Sequence, residues 1–473
     1  MHQPSQHPPA LQQSATTSGG RVESQPSGAA GTKRSPGPSF RYRCRVFAYD
    51  AYLICKTNWA LAPFLIAGWM LLPLQLVAAL LLRLLRIRVL TNRRWPSSFH
   101  YVGHLAIELD GFFKDRVLGR NLEFRPWVIF PRDVSANPAL LSLWSTKCRV
   151  ISHPLAARLL RPLAHIPWCS YSLHRYISTI QWGVSPPDTF FRYRAQTPTL
   201  ALTPSLTKLG DDFLRANGVP RDGWFICLHA RTPGFHRSPE SDLRNVSIAN
   251  YRKAIDFVVS QGGWVVRMGD PSMPPLPNLP HVIDYAHSTE RSDAMDLFLC
   301  ASCRFFLGCA SGPIAIATAF GIPLAVTNQA APMLNDMLSV NDLYIPKIPV
   351  RIDGTTTVPI GIVLRENLHR ARFTHCFDQS ELTLRENSPE DILGLVKDLI
   401  TPAHLSSSEI DRAATLRRHL EGMLHDVGLA NRHCDRIAPS FLLAHEKDFF
   451  SMENVSVAKS QPLCGLECCP CLR

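Results

Sequence analysis

No G-x-G-x-x-G follows a strand-like run, and neither G-x-x-x-x-G-K-[ST] nor a D-x-D triplet occurs anywhere in the 473 residues. The first two absences remove the usual phosphate cradles of dinucleotide redox enzymes and P-loop hydrolases. The third agrees with chemistry run without a metal, and no metal site is expected. Residues 1–39 contain no Phe, Tyr, Trp or Ile and 18 Pro, Ser or Gly, so they bury too little apolar surface to offset chain entropy and should be disordered. Acidic residues are scarce near the N-terminus: the first 100 residues hold 12 Lys or Arg against Glu23 and Asp50, a net +10, which leaves +2 for the other 373. The overall +12 is therefore a local property, and no nucleic-acid partner is expected.

Polar groups are missing from Trp59 to Leu82, where Gln75 is the one strongly polar residue in 24. At about 1.5 Å per residue such a helix could cross a bilayer core. Arg41, Arg43, Arg45 and Lys56 precede it, and Arg83, Arg86, Arg88, Arg93 and Arg94 follow, so loop charge leaves its orientation open. A spanning helix is the expectation, although Pro63 and Pro73 could break it into an interfacial or re-entrant arrangement, and a buried core helix is the ordinary alternative. Nearly 60 residues precede the run, so a cleaved signal peptide is not expected.

Of the 14 cysteines, ten are scattered, mostly in apolar runs, as suits small buried hydrophobes in a reducing compartment. Four crowd the C-terminus as Cys464, Cys468, Cys469 and Cys471. Four thiolates could hold a zinc ion, but their spacing is unlike the paired C-x-x-C of zinc knuckles; a disordered tail is the expectation, with metal binding and lipidation or redox chemistry as the alternatives.

The remainder alternates short apolar strands with helices, the pattern of parallel sheets covered on both faces. The organisation expected is a tail over 1–39, a basic-flanked membrane segment over 40–98, an N-terminal Rossmann-like acceptor domain over 99–203, a C-terminal Rossmann-like donor domain over 204–403, and a helix with a Cys-rich tail over 404–473. The first domain should begin with a strand near Phe99 and a helix near His104. Strands are expected in the second at 224–229, 264–268, 281–284, 303–308, 323–327 and 342–346. A final amphipathic helix from Ser408 to Val427 could pack back across the first domain. Two Rossmann-like domains facing a cleft describe the GT-B architecture, and also phosphorylase, epimerase and periplasmic-binding arrangements.

In such units ligands bind beyond the carboxyl ends of the strands. The run WFICLHARTPGFH places His229 and Arg231 at one such end, with His236 farther along the loop; GGWVVRMGDP places Arg267, Gly269 and Asp270 at the next. Two guanidinium forks suit a diphosphate; the alternative is ion pairing with Asp270, Asp284 or Asp293. In G-C-A-S-G-P a strand turns into a helix at Ser311 and Gly312, leaving backbone N–H groups for an anion. Catalytic base candidates are His104, Glu108 one helical turn later, and His236.

The segments HARTPGFH, Arg244-Asn245, GGWVVRMGDP, VIDYAHS and FFLGCASG resemble a family of bacterial glycosyltransferases, densely over 224–346 and more loosely over 99–400. The H-x-R element is similar to that of GT-B fucosyltransferases and protein O-fucosyltransferases. The resemblance implies a nucleotide-sugar donor on the C-terminal domain, with Arg231 at the donor diphosphate. The expected function is a membrane-associated glycosyltransferase acting on a saccharide or lipid-linked acceptor, with cytoplasmic catalytic domains, the nucleotide sugar as co-substrate and no cofactor. The alternative is a non-catalytic module that binds a nucleotide or saccharide at the membrane.

Overall fold

The computed structural model describes residues 40–56, 58–93, 95–120, 123–176, 198–233, 243–329, 339–366, 368, 377, 380–426 and 434–450. The tail over 1–39, the C-terminal cysteine cluster and His236 lie outside the described residues.

The fold is α/β with parallel sheets. The first sheet has the order β3-β2-β1-β4, with β1 Ile87–Thr91, β2 Arg125–Ile129, β3 Arg149–Ile151 and β4 Ser170–Ser172, all parallel. The second has the order β10-β9-β8-β5-β6-β7, with β5 Phe225–His229, β6 Trp264–Arg267, β7 Val282–Ile283, β8 Phe306–Cys309, β9 Leu324–Gln329 and β10 Leu343–Pro346, again all parallel. A short antiparallel pair, β11 Ile348–Arg351 and β12 Leu382–Arg385, lies beside it in sequence. Every residue of β5, β8 and β9 is buried, as expected for parallel strands covered on both faces, and this is why they read as continuous apolar runs.

Two local expectations are corrected. The Phe99 run is not a strand: Ser98–His100 is a 3-10 turn leading into α4, Val102–Val117. The strand lies upstream at Ile87–Thr91, where Arg88 is tolerated because its guanidinium reaches the Trp168 carbonyl at 2.8 Å. The apolar run is likewise not one spanning helix. It forms α2, Ala62–Met70, and α3, Leu72–Leu84, bent by 71° at Leu71, and among the described residues no single helix is long and apolar enough to cross a membrane. Pro63 and Pro73 both sit in the first turn of their helices, where a missing N–H is harmless, but Pro73 cannot continue the helix before it.

Three more helices position the site: α5 Pro138–Leu143, α10 Asp293–Ser302 and α11 Gly312–Ala319; α6 to α9 are Pro154–Leu159, Pro162–His165, Pro204–Ala216 and Arg252–Ser260. The halves meet where α4 lies against α11 and α5 against α10, and Asn137 Nδ2 donates to the Asp293 carbonyl at 3.1 Å. The long C-terminal helix, Ser407–Asp426, does not cross the first sheet. Its buried Leu416, Leu420 and Leu424 face the second half, with Met423 against Gly361 and the helix against Pro439–Ala444.

Candidate functional site

From β5 the chain builds β6 and β7 on one side, then returns to place β8 on the other. The crevice beyond the carboxyl ends of β5 and β8 is thus the topological switch point, the place where an open α/β sheet leaves room for a ligand. His229 is paired in register with Gly308, and the Arg231 amide lies 3.3 Å from Cys309 Sγ. The loops after the two strands are therefore in contact.

Burial, and after it the Arg231 guanidinium, pushes the His229 imidazole down to about 4, with weaker effects from Asp270 and Arg267. The ring is neutral at neutral pH, and these charges are its electrostatic neighbours. Arg231 is buried and donates through Nη1 to Asn245 Oδ1 at 3.0 Å, while its carbonyl accepts from the Val246 amide at 3.0 Å. These bonds fix the loop and aim the guanidinium.

Arg267 is placed otherwise. Only 2% exposed, it lies with Nε 2.8 Å from Asp284 Oδ1, donates through Nη2 to Asp284 Oδ2 at 3.0 Å, and reaches the Pro274 carbonyl at 2.7 Å. Asp284 also accepts the Leu276 amide at 2.9 Å. Of the readings left open by the sequence, the ion pair is the one found: Arg267 clamps the proline-rich loop after Asp270, and its fork is taken up there. Asp270 accepts the Ser272 amide at 2.9 Å and so shapes the start of that loop. Gly269 has φ of +150°, and a side chain there would run into Met273, so glycine is required.

Ser311 is the N-cap of α11 but makes no capping bond. Its Oγ, His229 Nδ1 and Thr232 Oγ1 are all buried without a hydrogen-bond partner among the described residues. Buried polar atoms are nearly always paired, and an orphan costs about 1–3 kcal/mol. These three lie at the ends of two adjoining strands, where they are polar groups available to a ligand, and comparable atoms occur elsewhere in the fold. Thr232 was not singled out from the sequence; its signal is its position three residues past His229, in H-A-R-T.

From the facing half, α4 begins directly over this point. Gly103 and Gly312 let the two helix starts touch: a Cβ on Gly312 would lie 2.5 Å from Val102 Cγ1, and one on Gly103 3.5 Å from the Gly312 Cα. The next residue is His104, whose Nδ1 lies 2.9 Å from Glu108 Oε1. The fully buried Glu108 also accepts from Asn92 Nδ2 at 3.1 Å and Ser98 Oγ at 3.3 Å. A carboxylate only accepts, so Nδ1 is the donor in this bond and Nε2 is the ring nitrogen left facing away from Glu108. Trp95 packs edge-on against the ring at 4.8 Å. The α4–α11 contact thus joins Val102 and Gly103 to Gly312, one residue from His104 and from Ser311 in sequence, and the β5–β8 pairing sets His229 beside Gly308.

Among the described residues no group of three or more His, Cys, Asp or Glu is placed to hold a metal ion. A groove of about 700 Å3 runs along the edge strand β7, past Asn217, Trp264 and His281, and no candidate site residue lines it. It is an open feature around both ends of the edge strand β7, on the far side of β6 from the β5–β8 switch point.

No protein-family model matches the chain, and no curated protein does. Among solved structures it is similar to E. coli heptosyltransferase WaaC with ADP (12% identity, 55% of this chain and 93% of that one, TM-score 0.32). It is also similar to E. coli ADP-heptose lps heptosyltransferase II (13%, 55% and 90%, 0.28) and to a glycosyl transferase of family 9 from Veillonella parvula (12%, 55% and 71%, 0.27).

Proposed function

We propose that the chain is a glycosyltransferase of GT-B type that moves a sugar from a nucleotide-sugar donor to a saccharide or lipid-linked acceptor at a membrane, with its catalytic part on the cytoplasmic side. The observation that carries this reading is the contact of the start of α4, next to His104, with the start of α11 at the ends of β5 and β8. The donor diphosphate sits against Arg231, the neutral His229, the Thr232 and Ser311 hydroxyls and the first amides of α11. The acceptor hydroxyl approaches from the α4 side.

In the reaction His104 Nε2 takes the proton from the acceptor hydroxyl as its oxygen bonds to the anomeric carbon. The bond from that carbon to the diphosphate oxygen breaks, and the leaving charge is spread over Arg231 and the polar donors around it. Glu108 holds the imidazole in position and stabilises the imidazolium that forms. Attack opposite the leaving group inverts the anomeric centre. Because the neutralising groups are all protein donors, the transfer is expected to run without a metal.

The test is release of nucleoside diphosphate from a panel of nucleotide sugars, offered with saccharide and lipid-linked acceptors, with and without EDTA. Release dependent on acceptor and indifferent to EDTA supports the reading. Binding without release across the panel would favour the non-catalytic module instead.

A further inference from the structure

In the bent pair α2–α3 the burial pattern is inverted. Gln75, the one strongly polar residue of the run, is 6% exposed, while Met70 is 77% and Leu84 71% exposed. Ile66, Leu74, Val77 and Leu81 are exposed with them. Elsewhere in the described residues exposed large hydrophobics are few and scattered. A soluble surface would place these groups the other way round.

The bend is fixed from inside. Gln75 Nε2 donates to the Gly68 carbonyl at 2.7 Å and to the Leu159 carbonyl at 2.8 Å, so one side chain ties both helices to α6. The Leu159 carbonyl also occupies the position that a side chain on residue 68 would take. Straightening the pair into a span would break these bonds and carry an unpaired amide into hydrocarbon, which is costly.

The rim carries what an anionic lipid surface would meet. Lys56, Arg83 and Arg86 are exposed at the ends of the run, and Tyr52 and Trp59, 46% and 59% exposed, lie together beside its start with ring centroids 6.2 Å apart. Aromatic and cationic residues of this kind sit at headgroup level. We infer that the α2–α3 elbow is an in-plane, monotopic anchor that seats its leucine face in one leaflet of an anionic bilayer without crossing it. The inference deepens the membrane part of the proposed function and is independent of the transfer chemistry. The elbow runs directly into β1, at whose far end Asn92 holds Glu108. Five strand residues span roughly 17 Å, so a lipid-linked acceptor resting in that leaflet is within reach of His104.

The experiment uses the full chain with sealed vesicles of phosphatidylcholine, with and without phosphatidylglycerol. Wild type binds both, more tightly with the anionic lipid, and Leu81→Glu with Leu84→Glu lowers partitioning by roughly tenfold or more. Both positions are exposed, so the melting temperature of that variant stays unchanged. In protein inserted co-translationally, an impermeant maleimide labels Cys44 and an introduced Arg86→Cys from the same side, as read by peptide mass spectrometry. Labelling from opposite sides would establish a span, and unaltered vesicle binding by the double variant would remove the leucine face from the membrane contact, with a loss of self-association in that variant assigning the face to a second copy of the chain. Either result overturns the anchor, while donor turnover, measured separately, is untouched by it.

Discussion

His104 Nδ1 and Glu108 Oε1 are 2.9 Å apart on successive turns of α4, and Glu108 is held in turn by Asn92 and Ser98. This is a fully buried carboxylate orienting an imidazole that is 19% exposed, close to where α4 meets α11. The bond is made wholly within the first half of the protein, away from the proposed donor groups, so its loss should affect turnover more than binding.

Replacing His104 by Ala, or Glu108 by Gln, is expected to lower kcat by about 10²–10⁴ while leaving donor KM nearly unchanged. The double variant should be little worse than either single one, because the two groups act as a unit. Steady-state kinetics on the three proteins check this; additive losses would separate the two residues.

Removing the orphaned hydroxyls gives a sharper contrast. Thr232→Val and Ser311→Ala break no described hydrogen bond, so melting temperature should hold or rise slightly. Each should weaken nucleoside diphosphate binding by about 1.5–3 kcal/mol, the range for a bond to a charged group. Calorimetric titration beside thermal denaturation separates this result from a purely structural role, in which stability would fall and binding would not.

Arg267→Met should behave in the opposite way. It leaves Asp284 without its cation, and since Asp284 is 22% exposed a loss near the lower end of the buried-pair range, about 3 kcal/mol, is expected. Arg267→Met combined with Asp284→Leu should recover part of that loss in urea denaturation. Donor affinity of the protein that remains folded should change much less than in Arg231→Ala.

The His229 imidazole, held at about 4, sets a pH dependence of stability. Its folded value lies below the ordinary value of roughly 6.5, so between them the unfolded chain binds the extra proton. The contribution is complete above about 6.5 and is lost as pH falls toward 4, on the order of 3 kcal/mol in all. Asp296 and Asp342, raised by burial to about 6, act in the opposite sense, since their contribution is lost as pH rises toward 6. The clean observable is therefore a difference: the stability of wild type minus that of His229→Gln should fall between pH 7 and pH 5, measured by chemical denaturation of both proteins at each pH.

The strands of the second sheet were legible because fully buried parallel strands are unbroken apolar runs ending in polar loops, and β5 and β6 follow that pattern closely. The strand β1 was not, because Arg86, Arg88 and Arg93 surround it and make it look like the basic flank of the apolar run; only the Trp168 carbonyl explains how Arg88 sits in a strand. The fate of Arg267 was legible as a short list of partners, with Asp284 among them, but the choice depends on where the chain returns 17 residues later. The His104–Glu108 pair could be suggested by its i, i+4 spacing, whereas its position over Ser311 rests on the contact of Gly103 with Gly312, two glycines more than 200 residues apart in sequence. Such pairings are set by tertiary packing and leave no local signature.

The most direct measurement is an experimental structure of the protein soaked with a nucleoside diphosphate. The account requires the diphosphate beyond β5 and β8, with oxygens within hydrogen-bond distance of Thr232 Oγ1, Ser311 Oγ and the Arg231 guanidinium, and with His104 Nε2 facing the vacant sugar position. A diphosphate bound elsewhere, or a switch point closed by packed side chains with its three polar atoms bonded within the protein, would contradict it.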